Sequence, residues 1–284
     1  MQVTGTTRVL GIIGSPIAHS LSPLMQNAAL AELGLDFVYV PFAVAPDQLD
    51  LAVSGLRTLG VTGFNVTIPH KETILPLLDE ITPQAMRMGA VNTVQRVGDR
   101  LVGHNTDGAG LLAALAADLD FTVAGKRVLI LGAGGAARAA VMALLDAGAA
   151  AVTIANRDLA RGEALMGMAV KQGGAGIMVA PLAILASAEL GGYDLLLNAT
   201  SVGMNGTTFV DFCPELLNDT ACVYDMVYAP LETPLLRSAR QAGRRTANGL
   251  GMLAAQGERA FVLWTGCQPP PGVMRTVLLT RLAG

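Results

Sequence analysis

The chain has 284 residues, a net charge of −3, 52% hydrophobic residues and 14% charged ones, against an average charged share of about 25%. The length exceeds the roughly 100–200 residues of one domain, so two domains are expected, and the apolar content excludes a disordered chain. The 19 Lys and Arg residues are scattered, which argues against nucleic acid. A membrane span is excluded by the longest uncharged run, Val9 to Ala31, because Gly, Pro, Ser, Asn and Gln interrupt the roughly 20 apolar residues such a span needs.

In chain order, Val9 to Ile13 is a short apolar run ending at Gly14, the pattern of a buried strand. Ser22-Pro23 reads as an N-cap followed by proline at the first helical position, opening a helix over Leu24 to Leu33 that Gly34 closes. Phe37 to Phe42 predicts a second strand, Asp47 to Leu59 a helix stopped at Gly60, and Gly63 to Ile68 a third strand. Val91 to Val97 and Leu101 to His104 predict a hairpin about Gly98-Asp99. This alternation over residues 1–106 is the signature of an α/β layer.

Asp107 opens a helix to about Leu119, and the pattern then starts again. Val128 to Leu131 is a fully apolar run, followed by Gly132-Ala133-Gly134-Gly135-Ala136-Ala137, a helix over Ala136 to Ala147 closed by Gly148, and a strand at Val152 to Ala155. Further strands are expected at Ile177 to Val179, Leu195 to Leu197 and Cys222 to Tyr224. A long amphipathic helix is expected over Leu250 to Trp264 and another over Val273 to Leu282. No basic segment leads into an apolar core at the N-terminus, so no export signal is expected. The odd number of cysteines (Cys213, Cys222, Cys267), lacking metal-ligand spacing, fits reduced thiols in the cytoplasm. His19, His70 and His104 are isolated from one another, and no metal is expected.

The strand–glycine turn–helix–strand run is a βαβ unit of the size that binds a dinucleotide. Gly132 permits the tight bend, Gly134 lets a pyrophosphate approach the backbone, and Ala137 stands at the helix–strand packing position. The helix starting near Gly135 offers free N–H groups and the positive end of its dipole. The alternative is an ordinary glycine-rich βα turn. At the end of the next strand, Asn156-Arg157 replaces the acidic residue that binds the ribose 2′-hydroxyl of NAD. A guanidinium there suits a 2′-phosphate, so NADP is favoured. Asp158 reads first as a helix cap, and second as a group near the adenosine ribose that would tolerate NAD.

The chain resembles the shikimate dehydrogenase family nearly end to end. The resemblance is carried by Gly14 to Pro23, Asn65-Val66-Thr67-Ile68-Pro69-His70-Lys71, Gly89 to Thr93, Gly103-His104-Asn105-Thr106-Asp107, Gly132 to Ala136, Asn156-Arg157, Asn198 to Met204, Tyr224 to Tyr228 and Asn248 to Gln256. It implies reversible NADP-linked oxidation of the shikimate 3-hydroxyl to 3-dehydroshikimate, a step of chorismate and aromatic amino acid biosynthesis. The implied fold is α/β with two domains. Residues 1–106 plus 250–284 would form the substrate-binding and catalytic domain, and residues 107–249 a Rossmann-like, doubly wound NADP-binding domain. The C-terminal helices would return to the first domain, because Gln256 is needed there.

By the same resemblance, Ser20 and Ser22 bind the substrate carboxylate, and Thr67, Asn92 and Gln256 bind the ring hydroxyls and carboxylate. Tyr228 also contacts substrate. Lys71 is the proton acceptor and Asp107 its orienter. Gly132, Ala133, Gly134, Gly135, Ala136, Asn156, Arg157, Asp158, Arg161, Met226 and Gly249 contact the cofactor. Removing a hydride from a carbinol carbon requires its hydroxyl proton to leave as well, which is the work of a positioned base. A free lysine is a poor base near neutrality; burial lowers its pKa and a neighbouring carboxylate raises it, and the sequence leaves that balance open. The alternatives are a quinate/shikimate dehydrogenase using NAD, a catalytically silent dinucleotide-binding sensor and, more remotely, a hydro-lyase or methylene-folate dehydrogenase. The expected partner is a small molecule, with no membrane and no nucleic acid; the oligomeric state is left open, a homodimer included.

Overall fold

A computed structural model describes residues 2–283. The chain divides into two compact units, one running to Thr106 and resuming at Gln256, the other Asp107–Ala255.

The first unit contains β1 (Arg8–Gly14), α1 (Ser22–Glu32), β2 (Phe37–Ala43), α2 (Leu49–Thr58), β3 (Gly63–Val66), β4 (Glu80–Ile81), α3 (Pro83–Met88), β5 (Thr93–Val97) and β6 (Arg100–His104). Its six strands lie in the order β2-β1-β3-β5-β6-β4. β2, β1 and β3 are parallel, while β5 runs antiparallel to both β3 and β6. Ile13, Phe64, Val66, Val91 and Val94, with α2 residues Val53 and Leu56, make the core on one face.

The predicted α1 forms with one correction. Its N-cap is Leu21, which makes no side-chain capping bond, so Ser22 is the first helical residue and Pro23 the second. Ser20 supplies the turn instead, its Oγ accepting the Ser22 N–H at 3.3 Å. β3 stops at Val66, two residues short of the expected end, because the chain turns at once and His70 N–H donates to the Thr67 carbonyl at 2.9 Å. The pattern gave no sign of β4, only two residues long, or of α3, a helix of six residues that Thr82 caps and Gly89 ends.

The second unit begins with α4 (Asp107–Leu119) and continues through β7 (Arg127–Leu131), α5 (Gly135–Asp146), β8 (Ala151–Ala155), α6 (Leu159–Lys171), β9 (Ile177–Ala180), β10 (Leu195–Asn198), the short extended segment β11 (Val202–Asn205), β12 (Cys222–Asp225), α7 (Pro234–Gln241) and β13 (Arg245–Asn248). Its sheet is wholly parallel, in the order β13-β12-β10-β7-β8-β9. Counted from β7, this is the 3-2-1-4-5-6 arrangement of a doubly wound dinucleotide fold, with its switch point between β7 and β10. Val128 to Leu131 and Leu195 to Leu197 are fully buried, as a parallel sheet covered on both faces requires.

α8 (Leu250–Thr265) and α9 (Val273–Ala283) end the chain. The Trp264 indole N–H donates to the Val94 carbonyl at 2.9 Å and the Gln26 amide to the Gly257 carbonyl at 2.9 Å, and α9 packs on α1. From Gln256 on, α8 and α9 thus belong to the first unit.

Candidate active site

In the first unit the family-motif residues gather at one edge of the sheet. Register pairs Ile13 with Val66, Asn65 with Thr93 and Thr93 with His104. The 15–22 turn therefore follows β1, Thr67 follows β3, Asn92 precedes β5 and Thr106 follows β6, all at the same end. Backbone bonds tie them: Ser15 N–H to the Ile68 carbonyl at 3.0 Å, Val66 N–H to the Asn92 carbonyl at 2.8 Å, and Val91 N–H to the Lys71 carbonyl at 2.8 Å.

Beneath this edge lies a buried polar network. The Tyr39 hydroxyl donates to Asn65 Oδ1 at 2.7 Å and is also engaged by the Ser22 side chain. Asn65 Nδ2 donates to the Asn92 carbonyl and to Thr93 Oγ1, both at 3.0 Å. Asn92 Nδ2 reaches Thr106 Oγ1 at 2.9 Å, while its Oδ1 accepts Thr106 N–H at 2.8 Å and the Thr93 hydroxyl at 3.0 Å. Burial pushes the Tyr39 phenol well above its usual range, so this chain of bonds carries no charge.

Ser22, Asn92 and Gln256 are buried, and Ser20, Thr67 and Lys71 are half-buried. Lys71 sits on the turn that the His70 ring bolts down through Nε2 to the Val44 carbonyl, 2.7 Å away. The carbonyl accepts from Nε2–H, so His70 is a support of this turn. His104 Nε2 is buried, and no polar atom of the described residues reaches it; burial holds this imidazole below its ordinary pKa, partly offset by Glu80.

In the second unit, Asp107 is buried in the first turn of α4. The glycine turn follows β7. Gly132 adopts φ +107°, and a Cβ there would stand 2.7 Å from Thr200 Cγ2 across the switch point. Gly134 caps α5 without a side chain, Gly134 to Ala136 are exposed, and nothing lies within 4 Å of a Cβ placed on Gly134 or Gly135. These open backbone N–H groups suit a pyrophosphate.

Asn156 follows β8, and its Nδ2 donates to the Asp158 carbonyl at 2.7 Å. Asp158 is the N-cap of α6, accepting Ala160 N–H at 3.1 Å, and its carboxylate pairs loosely with Arg161 at 3.6 Å. Arg157 and Arg161 are exposed, leaving two guanidinium groups for a phosphate. Met226 and Tyr228 are half-buried, and burial raises the Tyr228 phenol. A Cβ on Gly249 would stand 2.0 Å from the Met226 carbonyl oxygen. Close backbone approach alone therefore demands glycine at 249. The open turn and the two arginines fit NADP.

Sequence reasoning named no role for Tyr39 or Thr233, and gave Asn65, Thr93, Thr106, Asn198, Asp225 and Asn248 only as parts of motifs. The available signal was a polar residue closing a strand, as in Leu195-Leu196-Leu197-Asn198 and Cys222-Val223-Tyr224-Asp225.

The 3-2-1-4-5-6 sheet with a glycine turn at its switch point, carrying a second α/β unit, defines a dinucleotide-linked α/β enzyme architecture. Comparison with known proteins narrows the class. Residues 12–94 match the shikimate dehydrogenase substrate binding domain, residues 114–204 the shikimate/quinate 5-dehydrogenase domain and residues 249–279 the shikimate 5'-dehydrogenase C-terminal domain. The chain is 62% identical to a shikimate dehydrogenase (NADP+) of Geobacter metallireducens, covering 99% of each. A crystal structure of shikimate 5-dehydrogenase from Listeria monocytogenes with shikimate and NAD superposes with TM-score 0.92 at 36% identity, over 98% of both chains. That of the Thermus thermophilus enzyme with NADP(H) and shikimate gives 0.86 at 38% identity, covering 96% of this chain and 99% of the other. The chain belongs to the shikimate dehydrogenase family.

Proposed function

We propose that the protein is an NADP-dependent shikimate dehydrogenase, interconverting shikimate and 3-dehydroshikimate in the pathway to chorismate and the aromatic amino acids. The observation that carries this is the 62% full-length identity with the Geobacter metallireducens enzyme of that name. A 55% match over 99% of each chain to its counterpart in Geobacter sulfurreducens points the same way.

The first unit, from its N-terminal part and the chain from Gln256 on, is read as the substrate-binding unit, and the second as the NADP-binding unit. Ser20 and Ser22 donate to the substrate carboxylate, Thr67, Asn92 and Gln256 bond the ring hydroxyls and carboxylate, and Tyr228 contacts the substrate. Buried polar partners of this kind reject an analogue that lacks a hydroxyl, because they would be left unpaired. Lys71 takes the hydroxyl proton and Asp107 orients it. NADP+, when bound, supplies the acceptor for the hydride leaving the carbinol carbon. Gly132 to Ala136 hold its pyrophosphate, Asn156, Arg157, Asp158 and Arg161 its adenosine ribose and 2′-phosphate, and Met226 and Gly249 its nicotinamide end. A cytoplasmic site of action and either a monomer or a homodimer belong to this reading.

Steady-state rates with shikimate or quinate, each with NADP+ or NAD+, test it. A preference for shikimate with NADP+ is expected. A preference for quinate with NAD+ would replace it by the quinate/shikimate alternative, and no turnover with any pairing by a binding role.

A further inference from the structure

Four parallel strands of the second unit end in line. Register sets Leu131 beside Asn198, Asn198 beside Asp225 and Asp225 beside Asn248. The next residues are Gly132, Ala199, Met226 and Gly249, three of which are read above as cofactor contacts. Asn198, Asp225 and Asn248 each turn back on their own loop: Oδ1 accepts the N–H of Thr200, Val227 and Leu250 respectively, all at 3.0 Å. A side chain that bonds the backbone two residues on imposes a fixed turn. The same device thus shapes three neighbouring loops.

Only the middle position is an acid, and the geometry says why. Asp225 Oδ1 also receives Asn198 Nδ2 at 2.8 Å, and Oδ2 receives the Thr233 hydroxyl at 2.6 Å. Three donors converge there, and an amide with its single acceptor oxygen could not serve them in this arrangement. Asn198 is held in turn, with Nδ2 also bonded to the Val202 carbonyl at 2.8 Å. Thr233 is the N-cap of α7, so the carboxylate links β12 to β10 and to α7. The Met226 peptide is caught between them. Its N–H donates to the Asn198 carbonyl at 3.0 Å, and its carbonyl faces the bare α-carbon of Gly249.

We propose that Asp225 is the positioning residue of the nicotinamide end of the site, fixing the Met226 peptide and the 199–202 turn through Asn198 and Thr233. This rests on the functional reading above. Asp225 is itself fully buried, so it acts through its neighbours and does not touch the cofactor. Its partners are neutral donors, and burial raises its carboxyl above the ordinary range. A buried carboxylate without a cation is costly, and a core that served stability alone gains nothing from one.

The test uses the full chain with Thr233→Val, which keeps the side-chain shape and deletes the donor to Asp225 together with the 3.4 Å cap of Leu236 N–H, Thr233→Ser, which keeps both bonds, and Asp225→Asn, which leaves that cap in place. NADPH binding is read by fluorescence titration, and KM for each substrate and kcat from steady state, well below each variant's Tm. Thr233→Val and Asp225→Asn are expected to weaken NADPH binding and raise the KM for NADP+ by roughly tenfold, the effect of losing a charge-assisted hydrogen bond. The KM for shikimate should stay within about twofold of the parent, and Thr233→Ser should recover most of the loss. Should Asp225→Asn not fold, Thr233→Val and its serine rescue decide. Parent-like NADPH binding in Thr233→Val, or equal rises in both KM values, would overturn the proposal. A parent that binds NADPH but does not turn over shikimate would instead sink the functional reading, and the binding shift would still report on Asp225.

Discussion

The two units solve one problem in different ways. Each must hold several loops still at the end of a sheet, where the ladder of backbone bonds stops. The first unit does so with a neutral relay, Ser22–Tyr39–Asn65–Thr93–Asn92–Thr106, that crosses β2, β3 and the β5–β6 hairpin. The second bends three loops by a repeated turn and fastens two of them, those after β10 and β12, at one buried acid, Asp225. The mixed sheet of the first unit interleaves antiparallel strands, so its loops leave from both strand starts and strand ends, and side chains must reach across. In the parallel sheet every loop leaves from a C-terminal strand end, so one local turn can be used repeatedly. Buried polar groups are tolerated in both because nearly all their bonds are made.

Four experiments sharpen this contrast. The largest effect is expected from Lys71→Ala, which removes the proposed base from the first unit and leaves the dinucleotide fold untouched. kcat should fall by about a hundred- to ten-thousandfold, while NADPH binding is kept; an unchanged rate would remove Lys71 from the mechanism. Next is Gly249→Ala. The new Cβ meets a backbone oxygen that cannot move without breaking the row of strand ends, so a loss of about 3 kcal/mol is expected, seen as a lower urea midpoint. A parent-like midpoint would show the loops to be loose.

Tyr39→Phe is a milder test. It deletes one link of the neutral relay and leaves Asn65 Oδ1 without that donor, at a cost of about 1 kcal/mol or somewhat more. The KM for shikimate should rise while the NADPH affinity is unchanged, the mirror image of the Thr233→Val result. The smallest effect is a pH dependence in the first unit. His104 has its folded pKa below 6.5, so between that value and 6.5 the unfolded chain binds more protons and stability rises with pH. Acidification through this window should lower the urea midpoint, and His104→Asn should flatten the change. A profile identical to the parent's would exclude His104 as its source.

Much of this architecture was legible in the sequence. The strands β1, β2, β7 and β8, the glycine turn, the capping role of Asp158 and the long C-terminal helix are all local patterns. β10 and β12 were each read one residue short. The missing residues were Asn198 and Asp225, because an apolar run stops where a polar residue begins, although the strand itself continues. β13, Arg245-Thr246-Ala247-Asn248, has no apolar run to notice; it is strand only because β12 lies beside it. Ser22 looked like a cap by composition, yet its side chain is engaged with Tyr39.

By itself the sequence determined the family motifs, the order of local elements and the nature of the phosphate turn, since hydrophobic period, glycine and capping chemistry act over a few residues. Tertiary structure alone decided which strand ends stand side by side, that the first unit resumes at Gln256 and not at Leu250, and that Gly249 must be glycine. Those outcomes depend on satisfying buried donors and acceptors from segments far apart in the chain, and no short stretch of sequence contains both halves of such a bond.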